Sequence, residues 1–487
     1  MQFFIDLQYI LLTTVFLPFF SGLFIYLCSK KLIRDIITIT SSFLLLVLII
    51  CIHYLSSHYQ NLSFTLLDFG KAHISFKIEP IGLTFSLIAS LLWMLTSIYA
   101  VCYMQKNYSG GSNLFFCCFS IAIGCTISIA FAGDLLTIFV FYELLTISTY
   151  PLIVYNINNE AITSGRYYIG LLLGSSMILF FPGIVLLQNV TNSLDFTVGG
   201  LLQNNIVSPT FTVVLLFLLI YGIGKAALMP MHFWLPKAMV APTPVSALLH
   251  AVAVVKSGVF IIIKIVFYIF GIENLQNFVK QSWFLGSWLT YVSGFTIIVA
   301  SLIALKQNNL KKLLAYSTIS QLSYIILSVS IFTHSAVKAA VFQLACHAFA
   351  KITLFFAAGS IATVSGKKYL HEMGGIGRSM PITTSAFTVG AFAMIGLPPT
   401  SAFWGKFFII RSALAAGNFF TIVVLIISTL LNTAYFVPII YNAFFIKSSD
   451  SFKEVPIPLL IPLIATSTLT LVIFFFPNLV LNLLNRL

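Results

Sequence analysis

Charge is what this sequence has least of: only 8% of its 487 residues are Asp, Glu, Lys or Arg, and only 12 of those are acids. A water-soluble chain carries about three times that fraction, and so little charge cannot cover a solvated surface of this size. Cysteine is equally uninformative as chemistry. The seven at positions 28, 51, 102, 117, 118, 125 and 346 lie in or beside apolar runs without a CxxC pair, which argues against iron–sulfur ligation, a zinc site or a disulfide framework. No HExxH, GxSxG, phosphate-binding P-loop or dinucleotide fingerprint occurs, so no hydrolase, kinase or nucleotide site is expected, and no cofactor or metal. Linkers and low-complexity tracts are absent too; the longest gaps between apolar runs, 57–79 and 191–209, read as short loops.

Long hydrophobic runs are present instead. Hydrophobic residues make up 59% of the chain, and at roughly 20 residues per crossing this supports a dozen or more spans. Runs such as Phe43 to Ile50 and Val213 to Ile220 are continuous rather than alternating, which favours helices over a barrel. Hydropathy and breakers predict an all-α polytopic membrane protein of about fourteen spans. Span 5 covers 135–155, span 7 covers 210–236, span 8 covers 243–271, span 11 covers 336–364 and span 12 covers 382–414. The first run, Tyr9 to Cys28, lacks a basic leader and a small-residue cleavage site, so it reads as span 1 rather than a signal peptide.

The net charge of +13 reads as topology rather than as a polyanion site, and no nucleic-acid partner is expected. Loops after spans 1, 3, 5, 9, 11 and 13 hold Lys30, Lys31, Arg34, Lys106, Arg166, Lys306, Lys311, Lys312, Lys367, Lys368, Arg378, Lys447 and Lys453; the others hold Lys71, Lys77, Lys280, Lys338 and Arg486. Thirteen against five places the odd-numbered loops in the cytoplasm and both termini outside.

Two spans carry prolines where a helix should run on. Pro230 and Pro236 interrupt span 7, and Pro398 and Pro399 interrupt span 12. Each proline removes a backbone donor and clashes with the preceding turn, and a break at membrane depth is tolerated only inside protein or beside a wet cavity. Matching breaks in two halves point to an inverted-repeat transporter rather than to incidental kinks.

Function rests on the few charges left inside apolar helices. Glu143 is the one acid deep in a span, and Lys225, Lys256, Lys351 and Lys406 resist explanation by snorkelling; Lys237, Lys264 and Arg411 stand closer to span ends. An ionised group at the bilayer centre costs at least about 2.5 kcal/mol, so these groups should face the bundle interior, pair or titrate. Burial favours the neutral form and an opposite charge the ionised form, so a helix shift decides whether a proton is held. The bland alternative is a static ion pair that fixes packing. His347 precedes Lys351 by four residues and shares its helix face, while His232 lies in the span 7 break and His250 six residues before Lys256; each is a candidate relay. A sodium site is not evident, because no second acid lies near Glu143 in its span.

The segments Phe131-Ala-Gly-Asp-Leu-Leu-Thr-Ile-Phe-Val-Phe-Tyr-Glu143, Pro230-Met-His-Phe-Trp-Leu-Pro-Lys237, Ala241-Pro-Thr-Pro-Val-Ser-Ala-Leu-Leu-His250, Leu314-Ala-Tyr-Ser-Thr-Ile-Ser-Gln321 and Gly396-Leu-Pro-Pro-Thr-Ser-Ala-Phe-Trp-Gly-Lys406 resemble the antiporter-like subunits shared by respiratory complex I and the Mrp-type sodium/proton antiporters. The resemblance implies fourteen helices, with an N-terminal segment 1–112, inverted five-helix repeats over 113–277 and 278–447 that contain broken helices 7 and 12, and a last helix in 448–487. It implies proton transfer through Glu143, Lys225, Lys256, His347 and Lys406, with Glu143 and Lys225 as a charge pair. His232, His250, Lys351 and Lys237 are candidate relay or gating groups.

The implied function is a proton-conducting subunit of a monovalent cation/proton antiporter in a bacterial inner membrane. Its partners would be other membrane subunits, the lipid bilayer, protons, and Na+ or K+. The alternative is a membrane subunit of an NADH:quinone oxidoreductase, which alone would make the chain part of an enzyme. Lys406 replaces the glutamate of one complex I branch and the sequence stops at Leu487 without the largest subunit's lateral helix, so the D-type Mrp subunit is favoured. A solute carrier and a non-conducting scaffold are the rivals of other classes.

Overall fold

The computed structural model describes residues 2–56, 63–70, 72–108, 110, 112–202, 208–281, 286–446 and 452–484. Lys71, Lys447 and Arg486, and the expected boundary between 447 and 448, lie outside the described residues. Among the described residues, eleven helices have the length and apolarity to cross a membrane, and the apolar helices Pro209–Gly222 and Pro381–Ile395 are shorter. The protein is a polytopic all-α membrane protein. Its surface helices turn Leu, Ile and Phe side chains outward, as on Lys31–Ser56 and Phe419–Phe445, whereas Thr243–Phe270 and His334–Ser365 run through the interior with their membrane-length windows entirely buried.

Among the described residues the one sheet is a two-stranded hairpin, in a gap expected to be loop. Strands Ser63–Asp68 and His73–Lys77 pair antiparallel, with Phe64 opposite Phe76 and Thr65 opposite Ser75. It is bound to the bundle through Asp134, which caps helix Leu135–Ile153 at Thr137 N (2.7 Å) and accepts from the Ser75 backbone N–H (3.1 Å) and hydroxyl (2.6 Å). The expected repeat boundary at 277/278 falls inside a further helix, Ile272–Gln281.

The two spans with paired prolines are interrupted, whereas helices with a single interior proline, such as Phe419–Phe445 with Pro438, run on. In span 7, helix Pro209–Gly222 stops at Ile223, a short 3-10 turn follows over Gly224–Ala226, and Ala227 adopts a left-handed conformation before the short helix Trp234–Lys237. In span 12, Pro381–Ile395 ends at Gly396 and the helix resumes over Ala402–Ala415. The bonds Met229–Pro230 and Pro398–Pro399 are cis. Side chains take up carbonyls that the breaks release: Trp234 Nε1 donates to Gly224 O at 3.0 Å, and Tyr221 Oη to Met229 O at 3.0 Å. In the second break Met394 O accepts from both Gln321 and Asn432 at 3.2 Å, so buried backbone is satisfied without water from lipid.

Glycine permits the closest of these approaches. A Cβ on Gly258 would lie 2.4 Å from Ala226 N, so the absence of a side chain lets helix Thr243–Phe270 rest directly on the span 7 break. Gly396 has φ +88°, and a Cβ there would meet Lys406 Cδ at 2.7 Å. The first glycine seats the helix that carries Lys256 on the backbone at Lys225 and Ala226; the second leaves room for Lys406.

Candidate functional site

Among the described residues five lysines and three histidines are buried, and four of those lysines and two of those histidines make up the interior group. Lys225, Lys351, His250 and His347 are fully buried, and Lys256 and Lys406 nearly so. Among the described residues the ion pairs within 4.0 Å are Arg34 with Asp35, His73 with Asp195, and Glu79 with Lys77 and Lys264. None includes a lysine of this interior group. Their amines are hydrogen-bonded to neutral groups, whose geometry a small shift alters, rather than to a carboxylate.

At one end, Lys225 Nζ donates to Tyr142 O at 2.7 Å and Thr146 Oγ1 at 2.5 Å and sits 3.0 Å from the Tyr142 ring centroid. All three acceptors belong to helix Leu135–Ile153, because the 3-10 turn swings Lys225 out of its own helix axis toward that neighbour. Glu143, the next residue after Tyr142, does not reach Lys225 within 4.0 Å; Lys225 and the hydroxyl of Ser176, on a π turn over Ser176–Phe180, are its polar neighbours. The expected charge pair is thus a near neighbourhood in which Tyr142 and Thr146 hold the lysine.

In the middle, Lys256 Nζ lies 2.7 Å from His347 Nδ1 and donates to Leu344 O at 3.0 Å. Lys256 projects where helix Thr243–Phe270 is loosened by a π turn at Leu248–Val252 and the distorted Ala253 (φ −107°, ψ −75°). Lys351 donates to Ser317 Oγ at 2.9 Å, and His250 Nδ1 meets Thr318 Oγ1 at 3.0 Å. Ser317 and Thr318 are adjacent on helix Leu310–Val329, so one turn of that helix holds both groups.

At the far end, Lys406 donates to Ile395 O at 2.6 Å, Met394 O at 3.3 Å and Thr429 Oγ1 at 3.2 Å. These carbonyls are the C-terminus of the broken half-helix, where the helix dipole favours a cation. Gln321 joins this end to the middle, accepting from Gln343 at 3.2 Å while donating to Met394 O. Gln343, His347 and Lys351 are four residues apart on helix His334–Ser365 and form one polar stripe.

Two expected groups stay outside this line. Lys237 is exposed, with its amine 3.4 Å from the Tyr167 ring centroid, and His232 is buried against Phe233 at 4.0 Å between ring centroids. Pro230, Pro398 and Pro399 fall in the two interruptions, whereas Pro236 lies in the short helix Trp234–Lys237 that follows the first of them. Arg411 is exposed, as its position near a span end suggests, but Lys264 is not. It is fully buried, 2.8 Å from Glu79 Oε2 and donating to Ala132 O at 2.6 Å, because the hairpin end and the 193–202 segment cover that end of its helix. Leu201 and Leu202 N–H groups donate to Tyr268 and Ile269 carbonyls. Arg34, expected as a loop charge, is likewise buried inside helix Lys31–Ser56 beside Asp35. The eight-residue spacing from Lys256 to Lys264 on one helix face was a signal for an interior position.

Comparison with known proteins gives a consistent picture. The transmembrane family described as NADH:quinone oxidoreductase/Mrp antiporter matches residues 132–432. Over 390 residues the chain is 28% identical to NADH-quinone oxidoreductase subunit N of Desulforudis audaxviator, covering 79% of this chain and 76% of that one. It is 32% identical over 339 residues to a probable K(+)/H(+) antiporter subunit of Rhizobium meliloti, covering 69% of this chain but only 32% of that longer protein. In fold it is similar to a chain of the membrane-bound sulfane sulfur reductase, an archaeal respiratory membrane complex, with a TM-score of 0.86, 25% identity, and coverage of 98% and 96%. A chain of the Mrp complex from Dietzia sp. DQ12-45-1b aligns with a TM-score of 0.83 at 20% identity, covering 98% of this chain and 95% of that one.

Proposed function

The chain belongs to the NADH:quinone oxidoreductase/Mrp antiporter transmembrane family, and from that premise we propose that it is a proton-conducting subunit of a multisubunit monovalent cation/proton antiporter. Protons pass along Glu143, Lys225, Lys256, His347 and Lys406, with Lys351 and His250 as relays beside the middle pair. The reading places the chain in a bacterial inner membrane with both termini outside the cytoplasm. It adopts fourteen spans in two inverted repeats divided near residues 112, 277 and 447, and works with other membrane subunits.

One observation carries this reading: buried lysines with no carboxylate within 4.0 Å among the described residues, each held by neutral hydrogen-bonding groups. A structural cation in lipid surroundings is ordinarily paired with an acid, because an unpaired ion costs several kcal/mol or more. A chain of unpaired amines and imidazoles suits transient occupancy by protons instead. In the assembled complex in proteoliposomes, Glu143→Gln and Lys225→Ala should each abolish most cation/proton exchange; unchanged exchange in both refutes the proposal.

A second reading is a proton-translocating subunit of a redox-driven complex. It is favoured by the coverage of 76% of an NADH-quinone oxidoreductase subunit. The two differ in their partners, so co-purification of subunits with iron–sulfur ligands decides for the second.

A further inference from the structure

Helix Leu310–Val329 serves the interior line at three places: Ser317 holds Lys351, Thr318 meets His250, and Gln321 reaches Met394 O. Lys311 begins the same face, seven residues before Thr318 and so two turns away. Its Nζ donates to Ala241 O at 2.8 Å. Ala241 is where the second half of span 7 stops, after the 3-10 turn Ala238–Val240 and immediately before Pro242 and helix Thr243–Phe270. The lysine therefore ties three things together at one mouth of the line: the end of the broken span, the start of the helix that carries His250 and Lys256, and the start of its own helix.

Other bonds close the same mouth. Leu310 N–H donates to Lys368 O at 3.1 Å and Leu370 N–H to Asn308 O at 2.8 Å, which lays the 366–370 segment across the start of helix Leu310–Val329. Lys311 has no carboxylate within 4.0 Å among the described residues, and its charged neighbours are Lys368 and, deeper, His250. A cation held by one neutral carbonyl and repelled by a second lysine is an easily displaced stopper; a strut would be paired with an acid.

We propose that Lys311 is the gate at this mouth: its bond to Ala241 O bars water from His250 and Lys351, and release of that bond admits it. The functional meaning rests on the proton-conducting reading, but access of water is measurable without transport, so the two fail separately.

The test uses the assembled complex in sealed vesicles of each orientation. Ala315 is buried and lies between Lys311 and Thr318 on the same face. Ala315→Cys is exposed to a membrane-impermeant charged methanethiosulfonate, and modification at position 315 is read by mass spectrometry. With Lys311 in place modification should be slow. Lys311→Ala should speed it about tenfold, as expected for loss of one charge-assisted hydrogen bond, and from one face of the membrane only. Lys311→Met, which keeps the stem without the donor, should match the alanine variant, and Lys311→Arg should stay protected. Equal rates with and without the amine overturn the proposal. So does acceleration from both faces, or acceleration accompanied by modification of the buried Cys125, which reports general loosening.

Discussion

Lys256 and His347 stand 91 residues apart in the sequence and 2.7 Å apart in the fold. The contact can exist in two forms: an ammonium donating to a neutral imidazole, or an imidazole N–H donating to a neutral amine. If both groups carried an added proton, two donors would face each other and the bond would be lost. The pair therefore accepts one added proton at a time, and moving it from one residue to the other takes no rearrangement of the helices.

This arrangement separates two substitutions that look alike. His347→Gln keeps an acceptor for Lys256 but cannot exchange a proton, whereas His347→Ala removes both properties. Exchange by the reconstituted complex should fall about tenfold or more in each, because neither side chain can take up and release a proton. The thermal midpoint should fall clearly only in the alanine variant. Near-normal exchange in the glutamine variant would remove His347 from the path.

Thr146→Val keeps the volume and deletes the hydroxyl that Lys225 meets at 2.5 Å. Tyr142 O remains as acceptor, so the fold should lose only about 1–2 kcal/mol. Slower exchange at unchanged complex assembly is expected, measured by ion flux and size-exclusion profile together. Wild-type flux would mean that this hydroxyl only fills space.

The Glu79 and Lys264 pair is predicted to be structural. Lys264→Met leaves the buried Glu79 carboxylate with only Lys77, at 3.6 Å, and should destabilise by about 3 kcal/mol or less, while Glu79→Leu combined with Lys264→Met should recover most of that loss. Chemical or thermal unfolding of the purified complex provides the measurement. Additive losses in the double variant would contradict a buried pair.

Gly258→Ala tests the contact that brings span 8 onto the span 7 break. The added Cβ has backbone, not a flexible side chain, 2.4 Å away. The helix must move, at a cost of about 1–3 kcal/mol. Exchange should fall with it, because the helix that carries Lys256 is displaced from the span 7 break. An alanine variant with unchanged flux and unchanged stability would show that the two elements are not in firm contact.

The stranded lysines and the proline breaks were legible in the sequence because each contradicts its surroundings: Lys225 or Lys406 in an apolar run, Pro230 or Pro398 in a helix. Tyr142, Thr146, Ser317 and Thr318 were not legible. Hydroxyl residues are common in such helices and usually bond back to their own backbone, as Thr318 Oγ1 does to Leu314 O at 2.8 Å; nothing local marks the one that also meets a histidine. Lys264 was read as a snorkelling residue because distance from the helix end was the available guide, and the hairpin and 193–202 segment that cover it are remote in the chain.

By itself, the sequence determined that this chain lives in lipid, where its helices break, and which few charges are out of place there, since composition and one-helix periodicity are local properties. Only the tertiary structure decided that Lys256 meets His347, that Lys225 rests on Tyr142 and Thr146 rather than on Glu143, and that Lys264 is paired. Those outcomes depend on how several helices pack at once: a shift of one turn, about 5.4 Å, would exchange every partner while leaving each helix's own pattern intact.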